Sequence, residues 1–140
     1  MFLLLFAHIS LMFAAVGLTG GTLALLVVAN RADRLGEVGP AIASLPLARI
    51  SPPLYLVGGL AGLATAWSFG YSLLSPWLVV AYVLFAIGAG FGIFGTTGRF
   101  ERLARGDDVA AVGQALEMDL LVNVVLYGLL IGDMVFKPLS

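Results

Sequence analysis

Residues Met1 to Ala29 form a run of 29 positions without a single charged side chain. A bilayer core about 30 Å thick is crossed by roughly 20 apolar residues rising 1.5 Å each. A stretch this long and this apolar is expected to fold as a membrane-crossing helix, and whatever follows must suit a chain held in lipid. The run contains the only histidine, His8, and has Gly20-Gly21 toward its far end. A cleaved signal peptide carries a basic leading region and an apolar core of about 7–15 residues. Here no Lys or Arg precedes the run, which is far longer, so it reads as a retained span.

Three more apolar blocks follow, at about 52–69, 76–97 and 118–136, against a first span of about 2–28. Only 11% of the 140 residues are charged, and the mean hydropathy is +1.07. Soluble domains carry about a quarter charged residues, so the expected class is an all-α membrane protein: one four-transmembrane-helix bundle over residues 1–140, with no soluble domain. The blocks are continuously apolar rather than alternating, which disfavours a β-barrel. Too few Lys and Arg are present for a nucleic-acid surface, and the absence of Cys excludes disulfides and thiolate metal sites within the chain.

The connectors set direction. Arg31, Arg34 and Arg49 lie between spans 1 and 2; Arg99, Arg102 and Arg105 lie between spans 3 and 4; Lys137 is the only basic residue on the other side. By the positive-inside rule both Arg-rich connectors are cytoplasmic and both termini outside. These arginines determine topology and are placed to meet anionic lipid or a partner subunit, with interleaved acids forming local ion pairs. Pro40 and Pro46 break the first connector, whose residues Ala41–Ile50 are expected to lie along the interface, and Ser51-Pro52-Pro53 is the expected start of span 2. Gly70–Ser75 reads as a tight turn ringed by Trp67, Tyr71, Trp77 and Tyr82 as an interfacial belt. Asp107 or Asp108 is placed to cap the last helix, and Lys137-Pro138 to end it.

Two internal patterns recur. Arg31-Ala-Asp33-Arg34-Leu35 and Arg99-Phe-Glu101-Arg102-Leu103 lie 68 residues apart. They leave open either a duplication into two parallel-repeat hairpins or the independent use of Arg at helix ends. Each span also carries a GxxxG: Gly17/Gly21, Gly58/Gly62, Gly88/Gly92 and Gly128/Gly132. Such spacing lets backbones approach closely in lipid, inside one copy or between copies.

Ionisable and amide side chains inside a span are functional candidates. His8 can bind a cofactor or donate to a neighbouring helix, and Met12 lies one turn away. On span 4, Asp119, Asn123 and Tyr127 share a face at four-residue spacing, with Asp133 further along. Since spans 1 and 4 run in opposite directions, His8, Asn123, Tyr127 and Asp133 form a candidate buried polar site, with a His8–Tyr127 contact at its centre. The same residues equally read as interhelical fasteners.

An early His8, Gly20-Gly21, an Arg-bearing break, a Pro-led second span with glycines and Trp77 opening span 3 together resemble a group of small four-span, functionally uncharacterised bacterial integral membrane proteins. That group is loosely similar to the membrane domain of copper-resistance D-type proteins. The resemblance covers most of the chain and implies a bacterial inner-membrane location, with His8 and the glycine pair as the matching positions; Leu18-Thr19 stands where the group often has an aromatic residue. The expected role is non-enzymatic: a structural or accessory component of a membrane assembly, as a homo-oligomer or with other membrane subunits. Two further readings stay open. One is a redox protein binding haem b or copper through His8 of two protomers; the other is a small solute channel or carrier lined by spans 1 and 4.

Overall fold

The computed structural model describes residues 2–136, which are helical apart from short turns. In order they form α1 (Phe2–Arg31), α2 (Leu35–Ser44), α3 (Pro46–Ser68), α4 (Pro76–Gly90), a π-helical segment (Phe91–Thr96), α5 (Thr97–Ala104) and α6 (Val109–Phe136). Three continuous runs, Phe2–Arg31, Pro76–Ala104 and Val109–Phe136, are long and apolar enough to cross a membrane. A bent pair, Leu35–Ser44 with Arg49–Ser68, reaches that measure jointly, across a 45° bend. The reason is compositional: α3 carries Arg49, Ser51, Pro52 and Pro53 in its first part, so it is less apolar, although it packs extensively against α1.

α1 packs most extensively against α3, and α6 packs against both α1 and α4. α3 and α4 meet little along their backbones. What joins them is aromatic: the Tyr55 ring of α3 lies between Phe85 of α4 and Tyr127 of α6, with centroids 4.7 and 4.6 Å away. Offset ring pairs of this kind contribute about 0.5–1.5 kcal/mol each beyond their burial.

The glycines explain how closely α3 is held. A Cβ at Gly58 would sit 3.0 Å from the Met12 sulfur, and one at Gly62 would sit 2.6 Å from the His8 ring. The Gly58/Gly62 stripe therefore seats α1. A Cβ at Gly59 would run into the Phe85 ring, and one at Gly88 would sit 2.8 Å from the Tyr55 hydroxyl. Gly17, Gly21, Gly128 and Gly132 differ, since a Cβ there meets nothing within 4 Å.

The two ends of the bundle are unlike. At the arginine-bearing end α2 buries Leu35, Gly39, Ile42 and Ala43. It does so against Leu26 and Ala29 of α1, Phe100 and Leu103 of α5, and Leu116 and Leu120 of α6. Of the segment expected along the interface, residues 41–44 end α2 and pack Ile42 and Ala43 onto the bundle, and residues 46–50 begin α3. Pro46, not Pro52, occupies the first turn of α3; Pro52 and Pro53 are internal. Each internal proline removes one backbone donor, a defect that a membrane helix tolerates where neighbours pack against it.

At the other end Gly70 (φ 76°) turns the chain between α3 and α4. Trp67 is exposed, whereas Trp77 is buried with its ring edge-on to Tyr71 at 5.5 Å. Only part of the expected aromatic belt faces outward, since Trp77 fills the gap between helices. The last helix lacks the expected aspartate cap: Asp108 sits at φ 40°, and Asp107 accepts a hydrogen bond from Arg105 Nε at 3.1 Å. The two R-x-acid-R-L segments take different conformations. Asp33 (φ 54°) lies in a turn, while Arg99–Leu103 is helical throughout. Lys137 and Pro138, expected to end the last span, lie outside the described residues.

Candidate functional site: a hydroxyl cluster inside the bundle

α6 turns its polar stripe inward. Asp119, Asn123, Tyr127 and Asp133 are all buried, interleaved with Leu116, Leu120 and Leu130 on the same face. The four-residue spacing of Asp119, Asn123 and Tyr127 places these three there, because residues i and i+4 share a helix face, and Asp133 follows Leu130 on that face at i+3.

Tyr127 is the centre of the cluster. Its side chain faces Thr19 and Ser51, with which it lines one small cavity. Thr19 Oγ1 and Ser51 Oγ are 2.6 Å apart, and both reach the Ala15 carbonyl, at 2.8 and 3.0 Å. Each hydroxyl has one proton. An ordering from Tyr127 to Ser51 to Thr19 to the Ala15 carbonyl uses every proton and closes on a backbone acceptor. The cluster ties α1, α3 and α6 together at one level, and an unpaired hydroxyl there would cost about 1–3 kcal/mol.

His8 is not part of it. Its Nδ1 lies 2.7 Å from the Gly58 carbonyl oxygen, to which the ring donates, and the expected contact with Tyr127 is replaced by this bond. The reason is register and direction: His8 lies level with residues 130–135 of α6, whereas Tyr127 packs with Met12 and Ala15. Side chains on a helix lean toward its own N-terminus. On antiparallel α1 and α6, His8 therefore leans toward the aromatic end and Tyr127 toward the arginine-bearing end. Around His8 are two apolar clefts, of about 200 and 100 Å³. The larger runs between α1 and α6 past Met12, Phe13, Ile131 and Met134. Asp133 is buried, and its Oδ2 has no partner among the described residues. The four expected polar residues therefore divide: Tyr127 lies at the hydroxyl cluster, Asn123 lines the small cavity beside it, His8 fastens α1 to α3, and Asp133 stands apart.

The arginines also divide. Arg99 pairs with Asp119, which is buried beside Gly95. Arg34 makes a two-point pair with Glu37 at 3.0 and 3.1 Å, and Arg105 pairs with Asp107. Arg31, Arg49 and Arg102 are exposed, and Arg49 Nε reaches the Ala43 carbonyl at 3.5 Å.

Sequence reasoning missed Thr19, Ser51 and Tyr55. The signal was present in part: Thr19 follows Ala15 and Met12 on the face of α1 that His8 begins. Ser51 was hidden because a serine before two prolines reads as a helix start. Among the described residues no three His, Cys, Asp or Glu side chains converge as metal ligands. Comparison with protein families, characterised proteins and solved structures finds no match to this chain.

Proposed function

We propose that this chain is a four-span protein of the bacterial inner membrane, with both termini outside, acting as a structural or accessory component through self-association. α3 supplies the remaining crossing, with α2 folded beneath it at the cytoplasmic end. At 1.5 Å per residue α3 is about 34 Å long, enough for a bilayer core of about 30 Å. The six arginines and the aromatic turn at opposite ends fit this orientation.

The observation that carries the reading is the division of the glycine motifs. Gly58, Gly62 and Gly88 are occupied within one copy, by Met12, His8 and Tyr55, while Gly92 meets only Pro52 at 3.8 Å. The motif glycines of α1 and α6 face open space. By helical spacing Gly17 continues the line of Phe13, and Gly128 and Gly132 continue the line of Ile131 and Val135. Both glycine pairs thus flank the apolar α1/α6 groove. In lipid, small residues on an exposed face favour association because backbones can approach closely. A second copy presenting the same groove is self-complementary.

The test is the mass of the protein in lipid nanodiscs. The reading predicts a dimer or larger assembly for the native chain and a monomer for Gly17→Leu combined with Gly128→Leu. A monomeric native protein would defeat it.

A further inference from the structure

A small space of about 20 Å³ lies beside the hydroxyl cluster, bounded by Thr22, Ser51, Tyr55, Gly92, Thr96 and Asn123 among others. Asn123 is 3% exposed, and its Oδ1, shielded from solvent, has no hydrogen-bond partner among the described residues. An amide oxygen left so in a hydrocarbon surrounding costs several kcal/mol. The volume exceeds the 10–15 Å³ or so that one water requires and is too small for more than one or two. We propose that this space is a specific site for a single water molecule, held by Asn123.

The chemistry of the walls selects the occupant. The Thr22 hydroxyl donates to the Leu18 carbonyl at 2.8 Å, and the Thr96 hydroxyl donates to the Phe91 carbonyl at 3.2 Å. With their protons committed, both can only accept toward the cavity, as Asn123 Oδ1 does. The occupant is therefore a donor of more than one proton. No charged side chain lines the space, and the nearest acid along α6, Asp119, is paired with Arg99. A bare cation would lie there without a counter-charge, so the neutral donor is favoured.

The π-helical segment forms one wall, through Gly92, Ile93 and Thr96. Single π turns inside α-helices widen the helix locally and are often found at functional sites. Here Thr96 and Thr97 each donate to a carbonyl five residues back, Phe91 at 3.2 Å and Gly92 at 2.8 Å. These bonds hold the widened turn open against the cavity. The water completes the polar wall that the widened turn faces.

The sequence makes the test simple, because Asn30 and Asn123 are the only asparagines. Asn-labelled protein in nanodiscs is studied by water-edited solid-state NMR, with Asn30→Gln identifying the remaining side-chain amide as Asn123. The site predicts rapid transfer from water to the Asn123 side chain despite its burial. Transfer no faster than to the buried Leu116 or Leu120 would overturn it. A second variant reads the same site by sign. A Cβ at Gly92 meets only Pro52, at 3.8 Å, and otherwise projects into open space. With water bound, Gly92→Ala displaces it, abolishes the transfer and lowers the unfolding midpoint. Were the space dry, the added methyl would fill it and raise the midpoint beyond the gain of the control Gly98→Ala, whose Cβ meets nothing within 4 Å, which would overturn the site. A native midpoint that rises with Na⁺ or NH₄⁺, compared with equal ionic strength of a bulky cation, would assign the site to a cation and likewise overturn it.

Discussion

Gly62→Ala isolates the packing of α1 on α3 with one methyl group. The new Cβ would lie 2.6 Å from His8 Cε1, 2.8 Å from Nδ1 and 3.2 Å from Nε2. Carbon contacts are comfortable at about 3.5–4.0 Å, so the ring must retreat by about 1 Å. That movement takes Nδ1 away from the Gly58 carbonyl, now 2.7 Å distant. Loss of a hydrogen bond between membrane helices costs about 0.6–1.7 kcal/mol, and overpacking adds about 1–3 kcal/mol. Against this stands the preference of helices for Ala over Gly, at most about 1 kcal/mol. The net expectation is a loss of about 1–3 kcal/mol. SDS-driven unfolding from mixed micelles, followed by circular dichroism, measures it. Gly98→Ala is the control, because its Cβ meets nothing within 4 Å, and it should be neutral or stabilising. In a His8→Ala background the ring is gone, and Gly62→Ala should cost little. Equal stability of Gly62→Ala and native protein, or an undiminished loss without His8, would refute the reasoning.

The same assay checks further expectations. Asp119→Asn leaves Arg99 without its partner. The Arg99 side chain is 38% exposed and can turn to water, so the loss is about 1–2 kcal/mol rather than the 3–5 of a fully buried pair. Exchanging the two residues should recover part of it. Tyr127→Phe and Ser51→Ala each break the same hydroxyl chain, at about 1–2 kcal/mol. The double variant should lose clearly less than the sum, since one network is lost once; full additivity would contradict a shared chain. Gly59→Ala drives a methyl into Phe85 and should disrupt the Tyr55 stack, seen as a change in near-ultraviolet circular dichroism.

The parts of the fold legible in the sequence were those that follow from local composition. The apolar runs located α1, α4 and α6, and the four-residue spacing of Asp119, Asn123 and Tyr127 identified the inward face of α6. What escaped were relations between helices. The partner of His8 depended on the register of α6 against α1, which sets His8 beside residues 130–135 and Tyr127 beside Met12 and Ala15, a relation that spacing along the chain does not record. Ser51 became part of a core only because α3 begins at Pro46, and two prolines in a helix interior disguise that start. The Arg99–Asp119 pair required knowing that α5 continues α4 through a π segment, so that Arg99 stays on the bundle rather than in a connector. GxxxG spacing marked four faces alike, whereas contact with Met12, His8 and Tyr55 separates those used within one copy from those left open.

Self-association through the open face of α1 and α6 is the claim on which the functional reading rests, and disulfide trapping in native membranes tests it most directly. The chain has no cysteine of its own, so each introduced thiol reports alone. Single cysteines at Gly17, Gly21, Gly128 and Gly132 are compared, after mild oxidation, with cysteines at Val57 and Leu60 on the exposed face of α3. The account predicts covalent dimers at one or more of the four glycine positions and none at the two on α3. Monomers at all four glycine positions, or equal trapping at Val57 and Leu60, would contradict it.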